Sequence, residues 1–364
     1  MPKYKNQHFV PRSHLKPFSN KCEGKAVGLY VSSADRYVYG AAVSDQCSRD
    51  YFYDRDGSME SHLSELEARY AAQVREIVAA GQSRPNLPIE WMRLFWCVQW
   101  ARTETAAEQA RSIAVGIAQI ANHPNFSSGP QDDRWVCLPM STLSRAHKEI
   151  RDLVCVLLRN RTDIPFVTSD NPAVTLNRFF AVHSRLRSAA TGLGSAGAIL
   201  LLPLTPSHAL MWYDSDVYNI ENQNGWHDIK NSKDAMAINQ HQILHCKCNV
   251  YFSTSHKHEW IKEEFNTLSS ERKKPLWKQR FGVLDERKNG VERYRFIEGP
   301  RSKEHSRGLI VTSSVPRYPT VWPTFLRWRH RGVAFDTGTG IGVVRRAFLD
   351  ENPLVRVRVI RIDK

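Results

Sequence analysis

His8 stands between Gln7 and the run Phe9-Val10-Pro11-Arg12. An imidazole titrates near neutrality, so His8 can serve as a general acid or base. It can equally serve as a structural hydrogen-bonder. Asp170 ends the run Phe166-Val167-Thr168-Ser169 and precedes Asn171-Pro172. A carboxylate at a strand's C-terminal edge is well placed for ligand or catalytic work. There Asp170 can hold a metal ion or orient His8, with Asn171 beside it as a binding group. The alternative is an Asx-type turn that Asp170 and Asn171 make before the proline.

Gln99 and Arg102 lie in a stretch that is otherwise apolar, Trp91-Met-Arg-Leu-Phe-Trp-Cys-Val-Gln-Trp. A buried arginine needs a partner, because an unpaired charge in the interior costs several kcal/mol. Glu67 or Asp54 is suited to pair with it. A functional use is also open, in which Arg102 and Arg111 together hold a phosphate. His241, His245, Cys246 and Cys248 form the densest cluster of metal-ligating types, with His256 and His258 soon after. No Cys-x-x-Cys spacing supports a tetrahedral zinc site there, and zinc is disfavoured. Thr337-Gly-Thr-Gly-Ile-Gly342 lacks the lysine and spacing of a phosphate loop and reads as a turn. Arg178 and His183 have a spacing found in some helical ribonucleases, but it arises readily by chance. In Trp322-Pro-Thr-Phe-Leu-Arg327-Trp-Arg329-His-Arg331, aromatics and arginines interleave. That composition suits stacking on bases with phosphate contact. It also suits an amphipathic segment with its arginines in solvent.

These residues need elements to position them. Pro11 suits the first turn of a short helix that Pro17 ends. Ala26–Ser32 and Tyr37–Val43 read as a hairpin, and Asp50–Asp54 as a third short strand. Leu63, Leu66, Tyr70, Val74 and Ile77 recur at helical steps within Ser61–Ala80. A second helix is expected over Ile89–Asn122 and a third over Ser141–Arg159. Strands are then expected at 165–169, 173–176, Ile199–Leu204 and Ala209–Tyr213. A helix over Asn231–Cys246, a strand over Asn249–Ser253 and a helix over Ser255–Asn266 follow. Beyond residue 268, Phe281–Leu284 and Val291–Ile297 flank Asn289-Gly290, a strong hairpin turn. Leu309–Ser313 and Leu354–Ile362 also read as strands, the latter with valines on one face and arginines on the other.

The chain has 364 residues and a formal charge of +14. Residues 1–268 hold 29 basic and 27 acidic side chains, whereas residues 269–364 hold 22 and 10. Nearly all the excess therefore lies in the last quarter, which points to a polyanionic partner for that region. Nucleic acid is the commonest such partner and an anionic membrane surface the second. No stretch is apolar enough to cross a bilayer, and the opening residues, with no apolar run, are not expected to be a signal peptide. Seven cysteines, an odd number, are then expected as reduced thiols in a cytoplasmic protein.

Several segments together resemble a bacterial family known as domain of unknown function 4238. They are Gln7-His8-Phe9-Val10-Pro11-Arg12 with Leu15 and Phe18; Phe52-Tyr53-Asp54 before a glycine turn, with Glu60 and Glu67 on the next helix; and Gln99 with Arg102-Thr103. Phe166 to Pro172, Leu202-Pro-Leu-Thr-Pro206 and Asn239 are similar too. The resemblance spans roughly residues 5–265 and implies no activity. It leaves the basic region outside.

The expected fold is α+β, with a body over 1–268 and a basic extension over 269–364. A helical layer from 58–160 packs on a small, mainly antiparallel sheet built from 26–54 and 163–253. The basic region forms a β-rich appendage, separate or loosely docked. The expected function is action on nucleic acid, as a nuclease of a defence or mobile-element module. His8, Asp170 and Glu67 are its catalytic candidates. Arg12, Gln99, Arg102, Arg111, Asn171 and the later arginines Arg327, Arg329 and Arg331 are its binding candidates. In a metal-dependent form, Asp170 and Glu67 would hold a divalent ion that activates water. The alternatives are a non-catalytic nucleic-acid-binding protein and a sensor of a small anionic ligand or nucleotide.

Overall fold

The computed structural model describes residues 5–81, 83, 85–121, 134–183, 185–186, 191–288, 291–297, 308–338, 341–351 and 357–362. Strand β1 (Asn6–His8) leads into helix α1 (Arg12–Leu15), which starts directly after Pro11. The hairpin β2 (Ala26–Val31) and β3 (Arg36–Ala42) follows as expected. The third strand is displaced: β4 is Ser48–Asp50, and it pairs with β1. Residues 51–54 instead turn the chain toward helix α2 (Ser58–Ala79).

The expected second helix is two: α3 (Ile89–Ala101) and α4 (Glu104–Ala121). Thr103 makes the break, because its Oγ1 accepts from the Ala106 N–H at 3.2 Å and caps α4. Two short helices, α5 (Cys137–Ser141) and α6 (Leu143–Glu149), occupy part of the expected third helix. Its remainder is a strand, β5 (Val154–Asn160). A short apolar run such as Val-Cys-Val-Leu-Leu reads alike as buried helix or buried strand.

Next come β6 (Thr168–Ser169), β7 (Val174–Leu176), α7 (Arg178–Val182), β8 (Ile199–Thr205) and β9 (His208–Tyr213). After β10 (Tyr218–Asn219) and β11 (Trp226–Ile229), helix α8 (Ser232–His245) is capped by Asn231, whose side chain accepts from the Lys233 N–H. Strand β12 (Asn249–Phe252) and helices α9 (Trp260–Thr267) and α10 (Ser269–Arg272) complete this part.

A five-stranded sheet in the order β11-β5-β9-β8-β7 is antiparallel except where β11 runs parallel to β5. A four-stranded antiparallel sheet, β3-β2-β12-β6, lies apart from it. Alternate residues of the larger sheet feed two apolar clusters. Leu157, Leu200, Leu202, Leu210 and Trp212 meet Tyr70, Val74, Phe95, Trp96 and Ile150 of the helical layer. Val156, Leu158, Leu201 and Met211 meet Phe179 of α7 and Ile238 of α8. A sheet covered on both faces has strands that are apolar throughout rather than alternating.

The segment after residue 268 is β-rich. Strands β13 (Trp277–Lys288), β14 (Val291–Ile297) and β15 (Gly308–Ser314) form one sheet, although the Asn289-Gly290 turn lies outside the described residues. Strand β16 (Arg327–Trp328) pairs with β10. Strands β17 (Gly332–Asp336), β18 (Val343–Val344) and, after helix α11 (Arg346–Glu351), β19 (Arg358–Ile362) form a second sheet.

This later half is not loosely docked. Phe325, Leu326, Ala334, Val343 and Ile362 join the cluster under the five-stranded sheet. Thr324 donates through its N–H and Oγ1 to Asp234 on α8, both at 2.8 Å. Buried Arg345 pairs with Asp152 at 2.8 Å. The apolar content of 318–335 explains the docking, since such a segment gains from burial. The valine face of β19 points outward, with Val359 53% exposed, while Ile360 and Ile362 pack inward. Val355 and Arg356 lie outside the described residues, as do Thr339 and Gly340 of the glycine-rich turn.

Candidate functional site

The site is built from the N-terminal strand outward. Gln7 is fully buried and binds backbone on both sides of its amide. Its Nε2 donates to the Asp54 carbonyl at 2.9 Å, and its Oε1 accepts from the Tyr53 N–H at 2.6 Å. Asp54 in turn accepts from the N–H groups of Gly57 at 3.0 Å and Met59 at 2.6 Å. A carboxylate that takes up free N–H groups fixes a helix start. Gly57, at φ +79°, makes the turn into the helix that an L side chain would strain. Helix α2 therefore begins at a set rotation, and steps of three and four residues put Glu60, Leu63, Glu67 and Tyr70 on one face.

That face meets the end of α3. Arg102 is fully buried. Its Nε donates to Gln99 Oε1 at 3.0 Å and its Nη1 to Glu67 Oε1 at 2.8 Å. Gln99 Nε2 donates to the Phe9 carbonyl at 3.0 Å, which ties the cluster back to the strand carrying His8. The Tyr53 hydroxyl donates to the His8 carbonyl at 3.0 Å. Two buried polar atoms here have no hydrogen-bond partner among the described residues: Arg102 Nη2 and Glu60 Oε2. Such orphans cost about 1–3 kcal/mol each, more when charged, unless water reaches them.

Burial and the Glu67 charge push the Glu60 carboxyl up to about 7, against the pull of Arg102. Burial holds the His8 imidazole below its ordinary value, with Arg12 and Arg102 adding to the effect. Its Nε2 lies 3.1 Å from the Ser44 carbonyl, which only accepts. The neutral ring must therefore carry its proton on Nε2, leaving Nδ1 as a base. His14 is buried between the Tyr70 hydroxyl and Thr168 Oγ1, each 2.8 Å from a ring nitrogen. Burial, then Arg102, lowers its pKa to about 3, so it is neutral at every physiological pH. A carboxyl titrating near neutrality beside a fixed guanidinium–carboxylate pair is an arrangement suited to moving a proton.

The Glu60 shift gives a signed expectation. Its folded-state pKa exceeds the unfolded one, so the folded chain holds that proton more tightly. This contribution is fully present below about pH 4.5 and is lost as pH rises to about 7. Thermal unfolding of Glu60→Gln should lack that loss, so its stability relative to wild type rises between those pH values. A parallel pair of curves would show that Glu60 titrates normally.

Asp170 and Asn171 lie in a neighbouring network rather than in this centre. Asp170 Oδ1 accepts from the Lys247 N–H at 2.8 Å, and Oδ2 accepts from those of Cys248 at 2.7 Å and Asn249 at 2.9 Å. Burial raises its pKa while these three donors pull it back. Asn171 Oδ1 accepts from Thr103 Oγ1 at 3.1 Å, and its Nδ2 donates to the His245 carbonyl. Asn239 and Gln242 of α8 also bind this strand's backbone, at Pro165, Val167 and Pro172. These residues latch the strand to α8.

The structure thus brings together Glu67, Gln99 and Arg102, ties the backbone of His8 and Phe9 to them while the His8 ring faces the Ser44 carbonyl, and sets Asp170 apart with both oxygens engaged. Glu67 is committed to Arg102, so the two carboxylates expected to share an ion have separate partners. Among the described residues no three His, Cys, Asp or Glu side chains converge as a metal site, the His241, His245, Cys246 and Cys248 group included. Arg12 is exposed at the start of α1. Arg111 is exposed on α4 and lines a cleft of about 240 Å³ to which Arg102 does not contribute. A larger cleft of about 710 Å³, lined by Arg159, Glu221, Trp226 and Asp228 among others, also excludes the Arg102 centre. Arg327 pairs with Glu221 at 2.6 Å, whereas Arg329 and Arg331 are exposed without an ion pair among the described residues.

Sequence reasoning passed over His14, Tyr70 and Glu60 as working groups. Glu60 was detectable from its spacing, seven residues before Glu67 and hence on the same helix face. His14 carried no comparable signal, since its partners Tyr70 and Thr168 are distant in the chain.

No curated protein and no solved structure matches this chain. A family model described as "Protein of unknown function (DUF4238)" matches residues 6–256, which include every residue of the Arg102 centre and of the Asp170 latch. The chain belongs to that family.

Proposed function

We propose that the chain binds nucleic acid, gripping the phosphate backbone through the exposed arginines of residues 269–364. One observation carries this reading. In the Trp322–Arg331 stretch the aromatics pack inward and the arginines face solvent. Trp322 lies against His241, ring centres 5.2 Å apart, and Phe325 against His227 at 4.4 Å. Trp328 lies against Tyr218 at 5.4 Å, with the Arg178 guanidinium 5.0 Å over its ring. These rings are committed to the core, which favours phosphate contact over base stacking here. Arg329, Arg331 and Arg361 are exposed and make no ion pair among the described residues. In the hydrolytic form of this reading, Glu60 and His8 are the titratable groups on hand for proton transfer, whereas Asp170 has both carboxylate oxygens engaged by backbone N–H groups.

The test uses the full chain. Cutting at residue 268 would strip Phe325, Ala334 and Ile362 from the core and confound binding with misfolding. Binding of labelled single- and double-stranded DNA and RNA is titrated with salt, for wild type and for Arg329→Ala/Arg331→Ala/Arg361→Ala. Each lost phosphate contact should make the log–log salt slope shallower by about 1. Identical slopes, or no binding above background at low salt, would end the proposal. Magnesium- or manganese-supplemented samples run on a gel report cleavage, which Glu60→Gln and His8→Ala should abolish.

A further inference from the structure

We propose that the cleft between β4 and α4 holds a single nucleotide, its base on the Tyr51 ring and its phosphate on Arg111. This inference rests on the nucleic-acid reading above and adds a place where one unit of a single strand is held. The cleft encloses about 240 Å³ and is lined by Arg49, Tyr51, Phe52, Glu104, Arg111 and Trp135 among others. That is below the size of a drug-like pocket and suits one flat ring with a substituent.

Charge accounting singles out Arg111. The three carboxylates at this cleft already have cations: Asp50 pairs with Lys5, Glu104 with Arg49 and Lys247, and Glu108 with Lys247. Arg111 makes no ion pair with any described residue and is exposed. An anionic group entering the cleft would find this guanidinium uncommitted, and guanidinium forks match phosphate oxygens.

Tyr51 is the second uncommitted group. It holds φ +54°, a conformation that a bulky side chain adopts at a cost. Its N–H donates to the Lys5 carbonyl at 2.8 Å, which fixes it there. Among the described residues its ring stacks on no other ring and its hydroxyl makes no hydrogen bond. Phe52, by contrast, is engaged with Phe9 at 5.4 Å and Tyr53 at 5.0 Å. A tyrosine ring without an aromatic partner and an unpaired guanidinium thus line one cleft, and ring stacking with guanidinium contact is the pairing by which proteins hold unstacked nucleotides. A duplex offers no unstacked base, so the cleft is selective for single strands or free nucleotides.

The experiment compares the full-length wild type with Tyr51→Leu, Tyr51→Phe and Arg111→Gln. Probes are a labelled oligo-dT, a duplex of mixed sequence, and thymidine 5′-monophosphate followed by ligand-observed NMR. Tyr51→Leu and Arg111→Gln should each weaken oligo-dT binding about tenfold and leave the duplex unchanged. Tyr51→Phe should bind as wild type. Unchanged oligo-dT and monophosphate binding in Tyr51→Leu and Arg111→Gln overturns the inference, even if the duplex still binds through Arg329, Arg331 and Arg361. Saturable monophosphate binding that Arg111→Gln removes, with no binding of either DNA, supports the cleft as a nucleotide site and ends the backbone-grip reading instead.

Discussion

Arg102→Met should destabilise the chain by about 3–5 kcal/mol, the cost of removing one partner from a buried ion pair. Methionine fills much of the volume but leaves Gln99 Oε1 and Glu67 Oε1 without their donors. Only a fifth of the Glu67 side chain reaches solvent, so water recovers little of the loss. Arg102→Lys should fall between, because an ammonium cannot serve both acceptors in the fixed fork of a guanidinium. Adding Glu67→Gln to Arg102→Met should restore part of the stability, since the stranded charge is then gone. The measurement is chemical denaturation of the three variants beside wild type. A double variant no more stable than Arg102→Met would show that the pair contributes packing alone.

The second large effect belongs to Asp170. Asp170→Ala removes the acceptor for three N–H groups at Lys247, Cys248 and Asn249. With about 1–3 kcal/mol at stake for each buried donor, partly recovered by water, the loss should be on the order of 3 kcal/mol. Asp170→Asn keeps one acceptor oxygen and should lose less. Hydrogen exchange locates the effect: these three amides should lose protection while the centre of β9 keeps it. Normal stability of Asp170→Ala, with loss of any nucleic-acid cleavage, would instead return Asp170 to the role of a reacting group.

Much of this architecture is legible in the sequence where chemistry is local. Pro11, Asn231 and the glycine at 57 mark element starts because caps and turns depend on adjacent residues. The pairing of Arg102 with Glu67 follows from the cost of burying a charge, with few acids in reach. The break at Thr103 was missed because a hydroxyl cap inside a helical pattern looks like one more polar residue. The strand Val154–Asn160 was missed because its apolar run fits two structures, and only the sheet it joins decides. The alternation in Val357–Val359 pointed to the right element without saying which face turns inward, because that is set by the partner β17, which precedes it across α11. Asp170 read as a reactive carboxylate because its three donors come from a turn almost eighty residues later.

Phe325, Ala334, Val343 and Ile362 cover a sheet face whose last strand in the chain, β11, ends at Ile229. A growing polypeptide therefore holds β5, β8 and β9 ready for pairing well before their cover is translated. At about 5–20 residues per second the interval is roughly 5–30 seconds. Throughout it, an oily surface faces the cytosol or whatever compartment receives the nascent chain, and holdase chaperones would compete with aggregation for it. A premature stop codon after the family-matched part would thus yield a sticky, degradation-prone product rather than a shorter working protein.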